Sequence, residues 1–279
     1  MKKISKMYFF LLIFTFFFPI FAEKNPDEFS VIRKVTDGTL NFTSFELVIT
    51  GNGIPEMNVT NLNSARITAE KAAVLNAKQK TAKALLSLIL SKKTTVKAFF
   101  EAKGMKDFVE KLIDSDDFKD VLYERFYSNS SVDVTYKVNI SGYLQKITDA
   151  AANDVPKQET PTEEKNEDIS EKTKSILVVT LKNKFEPALM ISLVNEKGEK
   201  IYDKSTGKSK SPTAFFFAKK KAKNLIEKAA LSGETLSVQA LKIKNGTEIV
   251  LRNSDAEKIR KELKNECLEE GKVVLVLPE

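Results

Sequence analysis

Apolar and polar residues alternate in the first half of the chain, as they do in a strand with one buried face. Every second residue of 132–138 is apolar, and side chains two positions apart lie on the same face of a strand. The pattern predicts two strands within 118–144, joined by a Ser-Asn-Ser-Ser turn. Another strand is predicted over 40–53, which is rich in β-branched and aromatic residues and stops at Gly-Asn-Gly.

A long helix with many small side chains is predicted between these strands, from Asn61 or Asn63 to about Leu90. Small side chains let a helix approach a sheet or another helix closely. Tight packing inside the domain is the favoured interpretation, and an interface with a partner is the alternative. The alanines at helical spacing on one face are Ala65, Ala69, Ala72, Ala73 and Ala77.

The second half has the same mixture of elements in a different order. Short apolar strands are predicted over 175–181, 188–194, 234–243, 247–253 and 272–277. A second helix of the first half is predicted over 106–114. In the second half, helices are predicted from Pro212 to Ala230 and from a cap at Ser254 to about Leu268.

The predicted fold class is therefore α+β, with two small domains in which helices pack on a mostly antiparallel sheet. The segment between them contains two prolines, many acidic residues and few large apolar ones, a composition typical of a flexible linker. The predicted units are a signal peptide (1–22), an N-terminal domain (23–151), a linker (152–174) and a C-terminal domain (175–279).

The N-terminal segment has the layout of a secretory signal peptide. Three lysines precede a nearly unbroken apolar run of 14 residues, Tyr8–Phe21, and the small residue Ala22 precedes the charged Glu23. The run is too short to span a membrane, and no cysteine follows it to carry a lipid. We expect cleavage after Ala22, a periplasmic location and no integral membrane span, with an uncleaved anchor as the alternative.

Charge and composition exclude several functional classes. The net charge of +7 falls to +4 without the three lysines of the signal peptide, which does not favour a nucleic-acid partner. The chain has no histidine and a single cysteine, so it has no Ser-His-Asp triad, no Cys and His zinc site and no internal disulfide. Gly51-Asn52-Gly53 lacks the third glycine of a dinucleotide-binding loop. We expect a protein without cofactor or metal that is not an enzyme, although a carboxylate-dependent hydrolase stays open.

One segment combines aromatic and basic residues and is a candidate interface. The residues concerned are Phe216, Phe217, Lys219, Lys220 and Lys221. The favoured interpretation is an ordinary helix with Phe215 or Phe216 in the core and the lysines in solvent. The alternative is a patch that binds a polyanion or a membrane surface.

The order of motifs resembles the LPP20 family of bacterial envelope proteins, which is similar to the N-terminal region of the flagellar assembly protein T family. A strand ending in G-x-G precedes an alanine-rich helix, and a later pair of strands leads to a glycine. The matching residues are Gly51, Gly53, Ala65, Arg66, Ala69, Ala72, Ala73, Asn76, Ala77 and Gly142.

The resemblance implies an envelope location, flagellar or surface-associated roles and no known catalysis. The chain also looks like the periplasmic flagellar sheath proteins of spirochetes, such as flagellar coiling protein B. The expected function is a non-enzymatic structural or assembly protein of the flagellum, whose partners are other flagellar or envelope proteins. The alternative is an envelope binding module for peptidoglycan or anionic lipid.

Processing of the N-terminus gives a direct test of the predicted export. Mass spectrometry of the native protein should find Glu23 at the N-terminus, without a lipid, because the apolar run ends at a small residue. An intact Met1 on protein recovered from the cell envelope would contradict cleavage.

Overall fold

The computed structural model describes residues 30–35, 37–57, 61–114, 120–153, 174–203, 215–218, 235–263, 268 and 272–278. These residues form two large sheets, one on either side of the predicted linker in sequence, with helices packed against them. The predicted α+β class is confirmed.

The first sheet has five strands, all paired antiparallel, in the order β1-β2-β3-β7-β6. The predicted single strand over 40–53 is instead two strands, because a turn at 42–45 with Phe45 at φ 55° separates them. The Asn41 side chain accepts hydrogen bonds from the backbone of Thr43 and Ser44 in this turn. The strands are β1 (Ile32–Val35), β2 (Gly38–Asn41), β3 (Glu46–Gly53), β6 (Val121–Phe126) and β7 (Val132–Asn139).

One face of the first sheet is covered by the long helix α1, and Asn61 caps that helix through its side chain as predicted. The helix ends four residues before the predicted Leu90, because the chain turns there into a small hairpin with Lys92 and Lys93 at positive φ. The helices of the first half are α1 (Leu62–Leu86), α2 (Val96–Ala102), α3 (Phe108–Asp114) and α4 (Ser141–Asn153), and the hairpin strands are β4 (Ile89–Ser91) and β5 (Thr94–Thr95).

The alternation over 132–138 is correctly predicted to mark a buried face. The side chains of Val132, Val134, Tyr136 and Val138 are buried. They lie on the side of the sheet that faces α1, because β7 pairs in register with β3, whose Leu47 and Ile49 are buried there too.

The second sheet has seven strands in the order β10-β9-β13-β12-β8-β14-β11. The prediction of a mostly antiparallel sheet is wrong here, since four of its six strand pairings are parallel. Strands β8 and β14 read as nearly continuous apolar runs, which is typical of parallel strands buried on both faces. The elements are β8 (Ile176–Thr180), β9 (Ser192–Val194), β10 (Lys200–Asp203), β11 (Phe215–Ala218), β12 (Thr235–Lys244), β13 (Glu248–Leu251), α5 (Asn253–Glu262) and β14 (Val273–Leu277).

Two predicted features of the second half are wrong. The helix predicted from Pro212 is not helical over Phe215–Ala218, because these residues pair in parallel with β14, and aromatic residues suit a strand when a partner is available. Ser254 lies inside the first turn of α5 instead of capping it, and Arg252 at the cap position makes no side-chain cap bond. The rest of the predicted 212–230 helix lies outside the described residues.

The two halves share one hydrophobic core. Phe216 is completely buried, and its ring packs edge-on against Phe42 of the first half, at 6.0 Å between centroids, and stacks on Phe185 at 6.2 Å. The Thr43 Oγ1 donates a 2.6 Å hydrogen bond to the carbonyl of Phe216. The interdomain junction formed by these four residues is a second connection between the halves, besides the predicted linker.

Backbone contacts extend the connection beyond the junction. The backbone N–H groups of Leu189 and Met190 donate to the carbonyls of Ile89 and Leu90 in β4, at 2.9 and 2.8 Å. Arg33 of β1 and Glu186 of the second half form an ion pair. The small hairpin of the first half therefore continues onto the second half through hydrogen bonds.

Truncation of the buried ring should destabilise the whole protein. We expect Phe216→Ala to reduce the free energy of unfolding by about 3 to 5 kcal/mol, as large-to-small changes do in a packed core. The measurement is urea denaturation of the full chain, followed by circular dichroism. Phe126→Ala is the control, because this ring is 45% exposed and far less is lost. Equal stability of the two variants would contradict the buried junction.

Candidate interaction surface

The two motif glycines hold the backbone of α1 against the backbone of β3. A Cβ built on Gly51 would lie 2.0 Å from the carbonyl oxygen of Ala73, and one on Gly53 would lie 1.8 Å from the carbonyl oxygen of Ala69. Any larger residue therefore requires the helix to move. The alanine face of α1 is used inside the molecule, with Ala65, Ala69, Ala73 and Ala77 buried and Ala72 half-buried.

Asn76 of the motif completes the hydrogen bonds of the strand end beside these glycines. Strand β2 pairs with β3 only as far as Ile49, so the backbone beyond that point lacks a strand partner on this side. The Asn76 Oδ1 accepts a 3.1 Å hydrogen bond from the backbone N–H of Asn52. Lys80 Nζ donates to the carbonyl of Thr50 at 2.8 Å and to Asn52 Oδ1 at 2.7 Å. One flank of α1 thus takes the place of a missing strand.

The remaining motif residues have different roles. The guanidinium of Arg66 lies over the ring of Phe126, 5.6 Å from its centroid, a cation–π contact between α1 and the edge of the sheet. Gly142 lies in the first turn of α4, where a Cβ would meet nothing within 4 Å. Its surroundings give no reason for a glycine.

The described residues do not show the predicted interface over 216–221 as one surface. Phe216 is buried in the interdomain junction, so it is not a surface group. Phe217 is placed in β11 by its backbone alone, and Lys219, Lys220 and Lys221 lie outside the described residues.

Strand β6 is an exposed edge that the sequence analysis did not single out. It ends the first sheet, and all six of its residues are exposed. Leu122, Tyr123 and Phe126 expose 51%, 56% and 45% of their surface. A strand edge with large apolar side chains is a site of contact with other chains unless it is protected. The three consecutive apolar residues at 121–123 are the sequence feature that could have indicated this exposed strand.

A polar row lies beside this edge on the sheet face opposite α1. Both oxygens of Asp133 accept hydrogen bonds, from Tyr127 Oη at 2.6 Å and from Asn52 Nδ2 at 2.7 Å. These bonds lower the pKa of the Asp133 carboxyl. A side-chain hydrogen bond with the adjacent Tyr127 raises the pKa of the Arg125 guanidinium. Asp133 is thus ionised and already satisfied, while Arg125 beside it keeps its charge.

The described residues contain no group of three or more His, Cys, Asp or Glu residues placed to hold a metal ion. None of the described helices is both long and apolar enough to cross a membrane.

The described residues belong to an α+β protein with two large sheets, the first of which has an exposed edge strand. Residues 170–279 match a family model described as the second domain of Tp0624 from Treponema pallidum. The second half is thus similar to a domain of a spirochete protein. The comparison with curated proteins gives no match. The resemblances to the LPP20 family and to flagellar coiling protein B are not confirmed by these comparisons and stay predictions.

The close contact between α1 and β3 leads to a test with a matched control. We expect Gly53→Ala to lower the free energy of unfolding by at least about 1 to 3 kcal/mol, because the new methyl group meets helix backbone. Ala73→Leu should act in the same direction. Gly142→Ala should be neutral or stabilising by up to about 1 kcal/mol, because space is available there. Thermal denaturation of the variants measures the differences. A Gly53→Ala protein as stable as the Gly142→Ala protein would contradict the contact.

Proposed function

We propose that this protein is a non-enzymatic structural or assembly protein of the periplasm that associates with the flagellum. The observation that carries the proposal is the exposed edge strand β6, because a row of exposed apolar and aromatic side chains along a strand suits contact with another protein.

The location rests on the sequence. The N-terminal segment has the features of a signal peptide, and the order of motifs resembles envelope proteins with flagellar roles. The similarity of residues 170–279 to a domain of a spirochete protein supports this setting, because the flagella of spirochetes lie in the periplasm.

The shared core supports a structural role. The interdomain junction and the hydrogen bonds to β4 fix one half against the other. A protein built in this way presents its surfaces at a constant distance and angle, which suits a component of a regular assembly better than two modules that move independently.

Co-sedimentation with purified flagella tests the proposed function. We expect the full-length protein to pellet with intact flagella at both low and high salt, because apolar contacts are insensitive to screening. Cells that lack the flagellar filament are the control, and in these the protein should stay in the supernatant. Absence of the protein from flagella that retain their other components would contradict the proposal.

A lysine variant separates this function from the envelope binding module. Replacing Lys219, Lys220 and Lys221 by glutamine should leave stability and flagellar association nearly unchanged. Binding to peptidoglycan sacculi or to anionic vesicles that weakens steeply with salt, and that is lost in this variant, would favour the module instead.

A further inference from the structure

We propose that β6 is a docking strand, to which an extended segment of a partner protein adds as a sixth strand of the first sheet. The segment would carry an acidic side chain opposite Arg125. This inference rests on the proposed function, because it names the surface through which the protein contacts its partner. It is supported by the backbone, the side chains and the charges of the edge.

The backbone of β6 offers free hydrogen-bonding groups in a regular order. Tyr127 donates its N–H inward to the carbonyl of Ser131 at 3.0 Å. Groups along an antiparallel strand alternate between the two sides, so Arg125 and Tyr123 also point toward β7. The N–H and carbonyl groups of Glu124 and Phe126 therefore point to the open edge. Among the described residues no strand lies on that side.

The side chains of β6 form a different row on each face of the sheet. Glu124 and Phe126 lie opposite the buried Val134 and Val132, and Arg66 covers Phe126 from α1. Tyr123 and Arg125 lie on the other face, opposite Thr135 and Asp133. An added strand would therefore meet one aromatic and one charged side chain of β6 on each face, Phe126 with Glu124 and Tyr123 with Arg125.

The charges of this edge favour an acidic segment. Asp133 lies opposite Arg125 in the strand register, but its oxygens already accept from Tyr127 and Asn52. The Arg125 guanidinium is hydrogen-bonded to the Tyr127 side chain and interacts favourably with the Asp133 carboxylate. The ion pairs in the described part of the first sheet are Lys137 with Glu46 and Arg33 with Glu186, so no carboxylate there forms an ion pair with Arg125. A carboxylate on a neighbouring strand would pair with the guanidinium in the usual cross-strand manner.

The position of the edge favours a separate protein as the occupant. Strand β6 is at the end of the sheet opposite to β1 and β2, while the contacts of Arg33, Phe42 and Thr43 hold the second half at the β1 and β2 end. The segment 154–173 of this chain is acidic, but it has two prolines and only Val155 and Ile169 as large apolar residues. Such a composition does not favour a β-strand.

Hydrogen exchange of the isolated full-length protein is the first test. The amides of Glu124 and Phe126 should exchange rapidly, whereas those of Tyr123, Arg125 and Tyr127 should be protected. Protection of Glu124 and Phe126 in the isolated protein would show that the chain covers its own edge. Protection that grows with protein concentration would assign the edge to a second copy. Either result would overturn the proposal.

Binding of defined peptides is the second test. The probe is a blocked, fluorescently labelled nine-residue peptide in which valine and threonine alternate around a central glutamate. Its control has lysine in the central position. Anisotropy should show that the glutamate peptide binds about three- to tenfold more tightly, because an attractive pair replaces a repulsive one. The peptide should also protect the Glu124 and Phe126 amides. Equal affinities or unchanged protection would overturn the proposal.

Two variants examine the backbone and the charge separately. Glu124→Pro should abolish peptide binding while the melting temperature stays nearly unchanged, because proline is tolerated at an edge where the N–H faces solvent. Arg125→Glu should reverse the preference, so that the lysine peptide binds more tightly. If Glu124→Pro does not fold, the reversal by Arg125→Glu alone decides. Peptide binding by a folded Glu124→Pro protein, or an unchanged preference with Arg125→Glu, would overturn the proposal.

Co-sedimentation of the same variant with flagella distinguishes the two proposals. If Glu124→Pro pellets with flagella as well as the wild-type protein does, the docking strand is wrong and the flagellar function stands. If the wild-type protein binds the glutamate peptide but not flagella, the docking strand stands and the flagellar function is wrong.

Discussion

The contact on which the first half depends is the approach of the α1 backbone to the β3 backbone at Gly51 and Gly53. No side chain separates the two elements there, since a single Cβ would reach within 2.0 Å of helix carbonyl oxygens. This contact sets the position of α1 along the sheet. It brings Asn76 and Lys80 to the unpaired end of β3 and Arg66 to the ring of Phe126. This one close approach therefore allows α1 to hydrogen-bond the unpaired end of β3 and to contact the edge strand β6.

The interdomain junction lies at the end of the first sheet opposite to the exposed edge strand β6. Phe216 extends the core of the second half onto Phe42, at the β1 and β2 end of the first sheet. The opposite end of that sheet is left to β6. A partner on β6 would thus bind far from the junction and would not compete with the contacts that hold the halves together. The contacts that hold the halves together and the proposed docking strand therefore lie at opposite ends of one sheet.

Local patterns predicted the fold well wherever the pattern itself carries the information. The buried face of β7, the cap at Asn61 and the small-residue face of α1 depend on side chains close in sequence. The sequence predicts a helix instead of the strand Phe215–Ala218, because the partner strand β14 begins 55 residues beyond Ala218 in the sequence. The pairing directions in the second sheet depend on the same long-range contacts. The edge position of β6 could not be predicted either, because strand order is set by tertiary packing and not by the composition of a strand.

The candidate site shows the same division between local and long-range information. The glycines and alanines of the motif could be named from the sequence, yet their role needed the distance between two backbones. Conversely, Gly142 fits the motif but lies in open space, so a motif position alone does not show a structural need.

The charges at the centre of β6 disfavour two of the ways in which this edge could pair with a second copy of itself. In a symmetric antiparallel pair of identical strands, the residue on the two-fold axis lies opposite its own copy. An axis at Glu124 would oppose two carboxylates, and an axis at Arg125 would oppose two guanidinium groups, each of which is unfavourable. The register shift between Val121 and Tyr123 also interrupts the regular ladder, which is a common protection of edges. A different strand with an acidic residue opposite Arg125 avoids the like-charge pair. The two charges therefore disfavour self-pairing in the registers centred on them, and the proposed partner would not meet this repulsion.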